Sequence, residues 1–241
     1  MNAGSSGRAG APGDIVEQLR RLDSCAVASA IESTGIRMRN EGFMDSSIRC
    51  LSAGPEPLVA YAFPLRISTA EPPMQDPFRA RFTGVRNDWW ENLLGVPAPR
   101  VLAVEDIDRH PGMGAFLGEV HANIFKALGC VGVVTNGAVR NLPAVQALGF
   151  HVFASNVTVS HAYMHIVEAG EPVRIGGLTV RTGDLLHGDQ HGVLSIPPQI
   201  AGQLPQIAAR QRREKSAIID FCRSPEFSIE GLRRLLKANR D

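Results

Sequence analysis

Between residues 118 and 154, the apolar positions switch twice from a helical to a strand spacing. The first part predicts a helix, because its apolar residues recur every three or four positions. They are Ala122, Phe125, Ala127 and Leu128. A short apolar strand, an Asn-Gly turn at 136–137, a second helix and a second strand are predicted to follow. Two strands separated by a helix predict a parallel pair with a right-handed crossover.

The polar residues of this segment fall at the ends of the predicted elements. Gly118 and Glu119 open the first helix, and Arg140 and Asn141 open the second. Open α/β folds keep their chemistry on such loops, at the carboxyl ends of parallel strands. We therefore expect these four residues to form the centre of a functional site.

Helices and strands also alternate along the rest of the chain. Helices are expected at 15–22, 24–34 and 88–96, and strands at 58–68, at 101–104 and, as a small antiparallel unit, within 173–197. Pro64 lies inside the first of these strands. Because proline cannot donate a ladder hydrogen bond, we expect a sheet edge or a bulge there. The segments 69–87 and 106–117 have no clear period and are predicted to be loops.

Composition divides the chain into three parts. Residues 1–13 are rich in Gly, Ser, Ala and Pro and are expected to be a disordered tail. Residues 14–200 are expected to form one α/β domain. Residues 201–241 form a predicted helical extension that breaks at Ser224-Pro225. The charged run RQRREK at 210–215 is predicted to be a solvated helix face.

The overall composition is that of a globular protein. The 241 residues are 44% hydrophobic and 20% charged, with a net charge of +1, so we expect neither nucleic acid nor a membrane as a partner. No apolar run approaches the ~18 residues that span a bilayer, and the N-terminus lacks the apolar core of a signal peptide. The four cysteines are scattered without metal-type spacing, which predicts reduced thiols. A cytoplasmic protein is expected.

Arg140 is the first choice for a substrate-binding residue. An Arg at a loop–helix junction can bind a carboxylate through two parallel hydrogen bonds, although a surface salt bridge would fit the same position. The backbone amides of Glu119, Val120 and His121 would bind a carboxylate or enolate oxygen at the helix start. The Glu119 carboxylate could equally complement the helix dipole, which is a structural role.

Histidines are concentrated in the second half of the chain. His161 and His165, and likewise His187 and His191, are spaced i, i+4, which on a helix can supply two metal ligands. The glycines beside His187 and His191 indicate instead that the segment HGDQH is a loop. Hydrogen-bonded structural histidines are the alternative for both pairs.

One family resembles this chain in both motif and order. The core of the RraA-like family is similar to the segment GEVHANIFKALGCVGVVTNGAVRNLPAVQALGFHVFA, and the likeness extends over about residues 20–200. The family includes the regulator of ribonuclease E activity and the class II aldolases acting on 4-hydroxy-4-methyl-2-oxoglutarate and 4-carboxy-4-hydroxy-2-oxoadipate. The resemblance implies a three-layer β-β-α sandwich of the swivelling type. It also implies a homotrimer or a dimer of trimers, with sites between subunits.

The family's aldolases have an acidic residue, then twenty intervening residues, Arg-Asp, and a further acid three positions later. Glu119 and Arg140 match this spacing, whereas Asn141 replaces the Asp and Ala144 replaces the later acid. In the aldolases the Asp helps to hold a divalent metal and the Arg binds the 2-oxo acid. The resemblance therefore implies Glu119 and Asn141 as ligands of Mg²⁺ or Mn²⁺, in a site with two anionic groups fewer than the pattern.

The resemblance implies a lyase that cleaves a carbon–carbon bond of a 2-oxo dicarboxylic acid, with Arg140, Glu119 and His187 as catalytic residues. The substrate is expected to contact Gly118, Val120, His121, Arg140 and Asn141. Retro-aldol cleavage and decarboxylation share a pyruvate enolate, so both reactions stay open. The alternative is a non-catalytic RraA-like regulator that binds an RNA-processing enzyme. Convergence of Glu119, Arg140 and the His161 and His187 loops on one cleft of the trimer would favour the lyase, whereas scatter over separate faces would remove most of its support.

Overall fold

The computed structural model describes residues 12–52, 56–73 and 89–238, so the tail predicted at 1–13 lies almost wholly outside the described residues. The helices are α1 (Pro12–Arg20), α2 (Ser24–Thr34), α3 (Trp89–Gly95), α4 (Glu119–Ala127), α5 (Leu142–Ala147), α6 (Leu204–Arg223) and α7 (Ile229–Ala238). The strands are β1 (Arg49–Cys50), β2 (Leu58–Ser68), β3 (Arg100–Asp106), β4 (Ala115–Leu117), β5 (Cys130–Val139), β6 (His151–Val157), β7 (His165–Ala169), β8 (Val173–Ile175), β9 (Leu178–Val180), β10 (Leu185–Asp189) and β11 (Gly192–Ile196).

Most of the described strands form one mixed sheet, in the order β1-β6-β5-β3-β2-β10-β11, with β4 beside β5 and β7 beside β2. The strands β2, β3, β5 and β6 are parallel, and α3, α4 and α5 lie between them in sequence. The strands β1, β7, β10 and β11 pair antiparallel to their neighbours. All four parallel strands therefore end at the same edge of the sheet, where ligands of α/β folds usually bind.

The sheet is covered on both faces, which produces three layers. One face packs against α3, α4 and α5, with Leu102 and Val104 of β3 in the same cluster as Phe125. The other face packs against the hairpin β8–β9 through Val101 and Ala103 of the same strand. This alternation is expected of a strand whose two faces are both buried. The architecture confirms the predicted three-layer β-β-α fold of the swivelling type.

The N-terminal helices and α6 cover the outer part of the sheet. Their apolar side chains cluster with those of β2, β10 and β11. α6 then continues as a long helix whose charged run at 210–215 is largely exposed, as predicted for a solvated face. α7 follows the predicted break, and Phe227 in the connection before it packs on Phe221 of α6 with ring centres 5.9 Å apart. Among the described residues, no helix combines the length and apolar composition that a bilayer crossing requires.

Pro64 lies in the middle of the sheet, so the expected edge position is wrong. β3 pairs with one side of β2, while β10 pairs with the first half of the other side and β7 with the second half. Pro64 falls between these two partners. On that side Ala62 donates to Asp184 at 2.8 Å, and the Pro64 carbonyl accepts from Gly170 at 2.9 Å. The missing N–H of proline is thus placed where the neighbouring strand changes.

The Asn136-Gly137 pair continues β5 and does not form the predicted turn. The Asn136 side chain accepts from the Asp106 amide at 2.7 Å and donates to the Asp106 carbonyl at 2.9 Å. These bonds join β5 to β3 where the pairing register with β6 shifts, between Thr135 and Ala138. An amide side chain therefore takes over ladder bonds that the irregularity would leave open.

Two predicted loops contain strand residues. β4 lies within the predicted loop 106–117 and pairs with the end of β5, beyond the part of β5 that the apolar run had indicated. His187, Gly188 and Asp189 belong to β10, so the prediction that HGDQH is a loop holds for Gln190 and His191 and is wrong for the residues before them. In both places strand pairing, which is a non-local contact, overrides the local turn signal.

Candidate functional site

Arg140 and the first turn of α4 meet in a cleft of about 410 Å³ at the carboxyl edge of the parallel strands. The residues that line it are Gly118, Glu119, Val120, His121, Arg140, Asn141, His161 and Met164. The five residues predicted to contact the substrate are therefore brought together, and Glu119, which was predicted to be catalytic, lies beside them. His161 and Met164 join the cleft from the loop between β6 and β7.

The turn after β5 fixes the position of Arg140. Its amide donates to the Leu117 carbonyl at 2.8 Å, which ties the end of β5 to β4. Asn141 adopts the left-handed conformation, with φ 53° and ψ 37°, and α5 begins at the next residue. Asparagine tolerates this conformation better than most residues. The Arg140 Nε atom donates to Asn141 Oδ1 at 2.9 Å, which orients the guanidinium relative to the amide.

Gly118 keeps the floor of the cleft open. It precedes α4 in an extended conformation, with φ −138° and ψ −175°. A side-chain carbon at this position would lie 3.3 Å from Arg140 Cγ, 3.5 Å from Asn141 Oδ1 and 3.6 Å from His161 Cε1. The residue between these three side chains is thus the glycine of the cleft lining.

The start of α4 presents backbone donors to the same cleft. Ala122 donates the first hydrogen bond inside the helix, to the Gly118 carbonyl at 2.9 Å. The amides of Glu119 and Val120 precede that bond and point out of the helix end. Together with the positive end of the helix dipole, they favour an anionic oxygen beside Arg140.

The His161 ring is held by a backbone carbonyl. Its Nδ1 atom lies 2.7 Å from the oxygen of Ala115, and the side chain is partly buried. Because a carbonyl can only accept, Nδ1 is assigned the hydrogen and Nε2 holds the lone pair when the ring is neutral. The sequence pattern SHAYMH marked this histidine, but its place beside Gly118 depends on how the loop after β6 lies against β4.

His121 stands beside His161 in a more buried position. Its Nδ1 atom lies 2.8 Å from the Phe116 carbonyl oxygen, and the two imidazole rings are arranged edge to face with centres 5.6 Å apart. Burial lowers the pKa of His121, the Phe116 carbonyl opposes this shift, and nearby His161 adds to it. The charged form of His121 is therefore disfavoured.

The predicted ligands do not form a suitable set for a hard divalent metal. Glu119 and Asn141 both line the cleft, but Asn141 Oδ1 already accepts from Arg140, and position 144 is alanine. Within the described parts of the chain, no three His, Cys, Asp or Glu side chains are grouped closely enough to hold a metal ion. Mg²⁺ prefers carboxylate and water oxygens.

His187 lies apart from this cleft within the single chain. It is fully buried, with Nδ1 3.1 Å from Ser24 Oγ and Nε2 3.0 Å from the Leu22 carbonyl oxygen. These contacts join β10 to the end of α1 and the start of α2. Burial lowers the pKa of His187. The expected convergence of His187 with Arg140 does not occur in one chain, and its position is that of a structural histidine.

Exposed apolar side chains lie around the same edge of the sheet. Val120 lines the cleft and is 68% exposed, and Val159 in the loop after β6 is 89% exposed. Met113, Val157 and Tyr163 are also exposed near this edge. We call these five residues the apolar rim. Each of these side chains is more than half exposed.

Comparison with curated proteins finds partial relatives. The chain is 32% identical over 104 residues, 43% of its length, to a candidate 4-hydroxy-4-methyl-2-oxoglutarate aldolase of Halalkalibacterium halodurans. It is 29% identical over 94 residues, 36% of its length, to protein DlpA of Legionella pneumophila. The matches span 50% and 15% of those two proteins, so the chain covers half or less of the curated relatives named here.

Solved structures share the fold over most of the chain. An uncharacterised protein of Pseudomonas syringae pv. tomato has a TM-score of 0.70 at 20% identity, covering 97% of this chain and 99% of that one. RraAS2 of Streptomyces coelicolor, described as an unusual member of the RNase ES inhibitor RraA family, has a TM-score of 0.65 at 23% identity. That match covers 86% of this chain and 96% of RraAS2.

A family model supplies the broadest match in sequence. The model described as RraA-like, Aldolase/RraA, matches residues 24–195. This range contains the cleft, the parallel strands and the hairpins β8–β9 and β10–β11. The chain therefore belongs to the RraA-like family.

Proposed function

We propose that this protein is a lyase that cleaves a carbon–carbon bond of a 2-oxo dicarboxylic acid and releases pyruvate. The observation that supports this most is the meeting of Arg140 with the start of α4 in one cleft. Two of the three residues predicted to be catalytic, Arg140 and Glu119, lie there. Membership of a family that includes aldolases, and the candidate aldolase of H. halodurans, support the same reaction class.

Arg140 binds the carboxylate of the 2-oxo acid in this proposal. Its guanidinium offers a planar pair of donors that matches a carboxylate. The 2-oxo group then lies against the amides of Glu119 and Val120, at the positive end of α4. Bond cleavage moves negative charge onto this oxygen, and fixed donors stabilise it more in the transition state than in the ground state.

Either of two reactions would form the same enolate. Retro-aldol cleavage releases a carbonyl compound from C4 of a 4-hydroxy-2-oxo acid, and decarboxylation releases CO₂ from oxaloacetate. In both, the charge of the pyruvate enolate is balanced by Arg140 and the helix end. The groups that stabilise the enolate all belong to one chain. Glu119 and Asn141, which match the metal positions of the family, have no metal-dependent role in this proposal.

An assay of pyruvate release tests the proposal directly. The purified protein is given 4-hydroxy-4-methyl-2-oxoglutarate or oxaloacetate, with Mg²⁺, Mn²⁺ or EDTA. We expect turnover that falls by at least ~10²-fold in Arg140→Ala, because a charged transition-state contact is lost. Arg212→Ala, which removes an exposed guanidinium from α6, is the matched control and keeps wild-type activity. Absence of turnover with both substrates under every condition would contradict the proposal.

The apolar rim supports a second proposal about assembly. We propose a homotrimer or a dimer of trimers in which a neighbouring copy covers Val120 and Val159, so that the site lies between subunits. Light scattering after size-exclusion chromatography measures the mass. Val159→Asp is expected to weaken the assembly because it buries a charge, whereas a monomeric wild type at micromolar concentration would rule the assembly out.

The same rim favours one alternative function, a regulator that binds an RNA-processing enzyme. Structural likeness to RraAS2, an RNase ES inhibitor family member, and the missing carboxylates at 141 and 144 point in that direction. Inhibition of a ribonuclease E-type enzyme by the purified protein measures this activity. If Val159→Asp abolishes inhibition and Arg140→Ala leaves it intact, with no pyruvate released by either, the regulator is the correct reading.

A further inference from the structure

We infer that His161 is the acid–base residue of this cleft, which takes a proton from the substrate hydroxyl and returns it to the enolate carbon. The inference rests on the proposed lyase function and adds the group that moves the proton. His161 was outside the set of catalytic residues that the sequence indicated. It lines the same cleft as Arg140, Gly118 and Asn141.

The ring of His161 is anchored through one nitrogen, which leaves the other as its basic atom. Nδ1 is engaged by the Ala115 carbonyl at 2.7 Å, so the neutral ring has its lone pair on Nε2. Cε1, the ring atom between the two nitrogens, faces Gly118 and would lie 3.6 Å from a side-chain carbon there. A carbonyl that holds Nδ1 and leaves the lone pair on Nε2 is the arrangement that a histidine base requires.

The loop that positions His161 is itself tightly bonded. Ala115 donates to the Ser160 carbonyl at 2.9 Å, and Met164 donates to the His161 carbonyl at 3.0 Å. Tyr163 donates to the Thr69 carbonyl at 3.1 Å, which joins the loop to the end of β2. The imidazole is therefore fixed relative to β4 and α4, and a fixed base loses less entropy when it meets the substrate.

The charged and titratable groups facing His161 come from two elements. Arg140 stands at the end of β5, and Glu119 and His121 stand at the start of α4. Burial disfavours the charged form of His121. We assign the proton released by the substrate to His161, because its Nδ1 is held by the Ala115 carbonyl and its Nε2 holds the lone pair. The imidazolium then forms beside the position of the enolate oxygen, where its charge adds to that of Arg140.

The proton balance closes within the substrate. Nε2 of His161 removes the proton of the 4-hydroxyl group, and the O–H electron pair becomes the second bond of a new C4 carbonyl. The C3–C4 bond breaks, and its electron pair forms the pyruvate enolate. The imidazolium returns the same proton to C3, which yields pyruvate. Decarboxylation of oxaloacetate needs no hydroxyl deprotonation, so His161 would serve only its last step.

The different need of the two reactions for a base provides the test. His161→Asn retains a side-chain N–H for the Ala115 carbonyl and removes the base. We expect retro-aldol kcat to fall by ~10²-fold or more, as loss of a general base does, while oxaloacetate decarboxylation falls by less than ~10-fold. The acid limb of the wild-type retro-aldol pH profile disappears in the variant. His165→Asn, four residues on in the same segment and outside the cleft, is the matched control with an unchanged profile.

A binding measurement separates proton transfer from a merely structural role. Oxalate mimics the planar pyruvate enolate, and calorimetry should show that His161→Asn binds it within a few-fold of wild type, whereas Arg140→Ala does not bind it. In the wild type, oxalate should shift the imidazole ¹⁵N resonances of His161 toward the imidazolium form. An unshifted His161 signal would contradict the inference even if the variant failed to fold.

A failure of the proposed lyase function can be distinguished from a failure of the inference about His161. A wild type that cleaves neither substrate removes the lyase function and the inference with it. An active wild type whose His161→Asn variant keeps its retro-aldol rate and pH limb overturns the inference alone. Equal loss of both reactions, together with lost oxalate binding, would assign His161 to binding and overturn its role as the base.

Discussion

The Nε atom of Arg140 donates a 2.9 Å hydrogen bond to Oδ1 of Asn141, so the amide that replaces the family's metal-binding carboxylate is engaged by the guanidinium beside it. Position 141 therefore departs from the pattern of the family's aldolases in both its charge and its hydrogen bonding. The oxygen at position 141 is neutral, and one of its two lone pairs accepts a hydrogen bond from a cation of the protein itself. The charge available to an anionic substrate is therefore that of Arg140 and the start of α4.

Arg140→Lys tests whether geometry or charge is the main contribution of this residue. Lysine keeps the positive charge but loses the planar pair of donors and the bond to Asn141. We expect kcat/KM for pyruvate release to fall by ~10-fold, less than in Arg140→Ala. Steady-state kinetics with both substrates measure this. Equal activity of the lysine variant and wild type would show that bidentate binding is not used.

Asn141→Asp restores one of the missing carboxylates. The left-handed conformation at this position suits aspartate as well as asparagine, so the fold should be retained. We expect Mn²⁺ affinity, measured by calorimetry, to increase by at least ~10-fold because a charged oxygen ligand is added. Asn156→Asp adds the same charge elsewhere at this edge, outside the cleft, and serves as the control. Identical Mn²⁺ binding by both variants would remove position 141 from the metal site.

Alanine substitutions at Gly114 and Gly118 should affect different properties, stability at Gly114 and substrate binding at Gly118. At Gly114 a side-chain carbon would lie 2.4 Å from the His161 carbonyl oxygen and 2.9 Å from Thr69 Cβ, so the His161 loop must move. We expect about 1–3 kcal/mol of destabilisation from such overpacking and a loss of retro-aldol activity. At Gly118 the contacts are 3.3 Å or longer, and the variant should fold normally with a raised KM.

Chemical denaturation and kinetics on the two glycine variants check this pair. The expected pattern is a stability loss confined to Gly114→Ala and a KM increase confined to Gly118→Ala. An unchanged KM in Gly118→Ala would mean that the substrate does not approach the floor of the cleft.

His187 should make stability depend on pH. Burial lowers its pKa in the folded state, so the unfolded chain binds the proton first as pH falls. Its contribution is full above the unfolded pKa of about 6.5 and is lost as pH falls below that value, by at most ~1.4 kcal/mol per pH unit. In His187→Gln, the free energy of unfolding should therefore fall less between pH 7 and pH 5 than in wild type. Equal losses in urea titrations would contradict this assignment.

Local pattern was sufficient for much of the fold. The spacing of apolar residues in 118–154 predicts α4, the start of β5, α5 and β6, because each element buries one continuous set of side chains. The meeting of Gly118 and Arg140 in one cleft also follows from the sequence. Both residues lie at element ends in one crossover unit, and such ends meet at the carboxyl edge of a parallel sheet.

Non-local contacts decided the parts that pattern could not predict. Asn136 continues a strand instead of turning because Asp106, thirty residues earlier, pairs with its side chain. His187 is buried because α1 and α2 supply partners for its ring, although its sequence neighbours are turn formers. In each case a hydrogen-bond partner distant in sequence outweighs the local preference.

The sequence by itself determined the family, and the layered fold followed from that resemblance. The pairing of Arg140 with the start of α4 followed from the order and spacing of residues within one crossover unit. Only the tertiary structure decided that His161 joins that pair and His187 does not. A histidine can be buried, bonded or basic in any sequence context. Which of these it becomes depends on the carbonyl that meets its Nδ1 atom and on what the opposite ring edge faces.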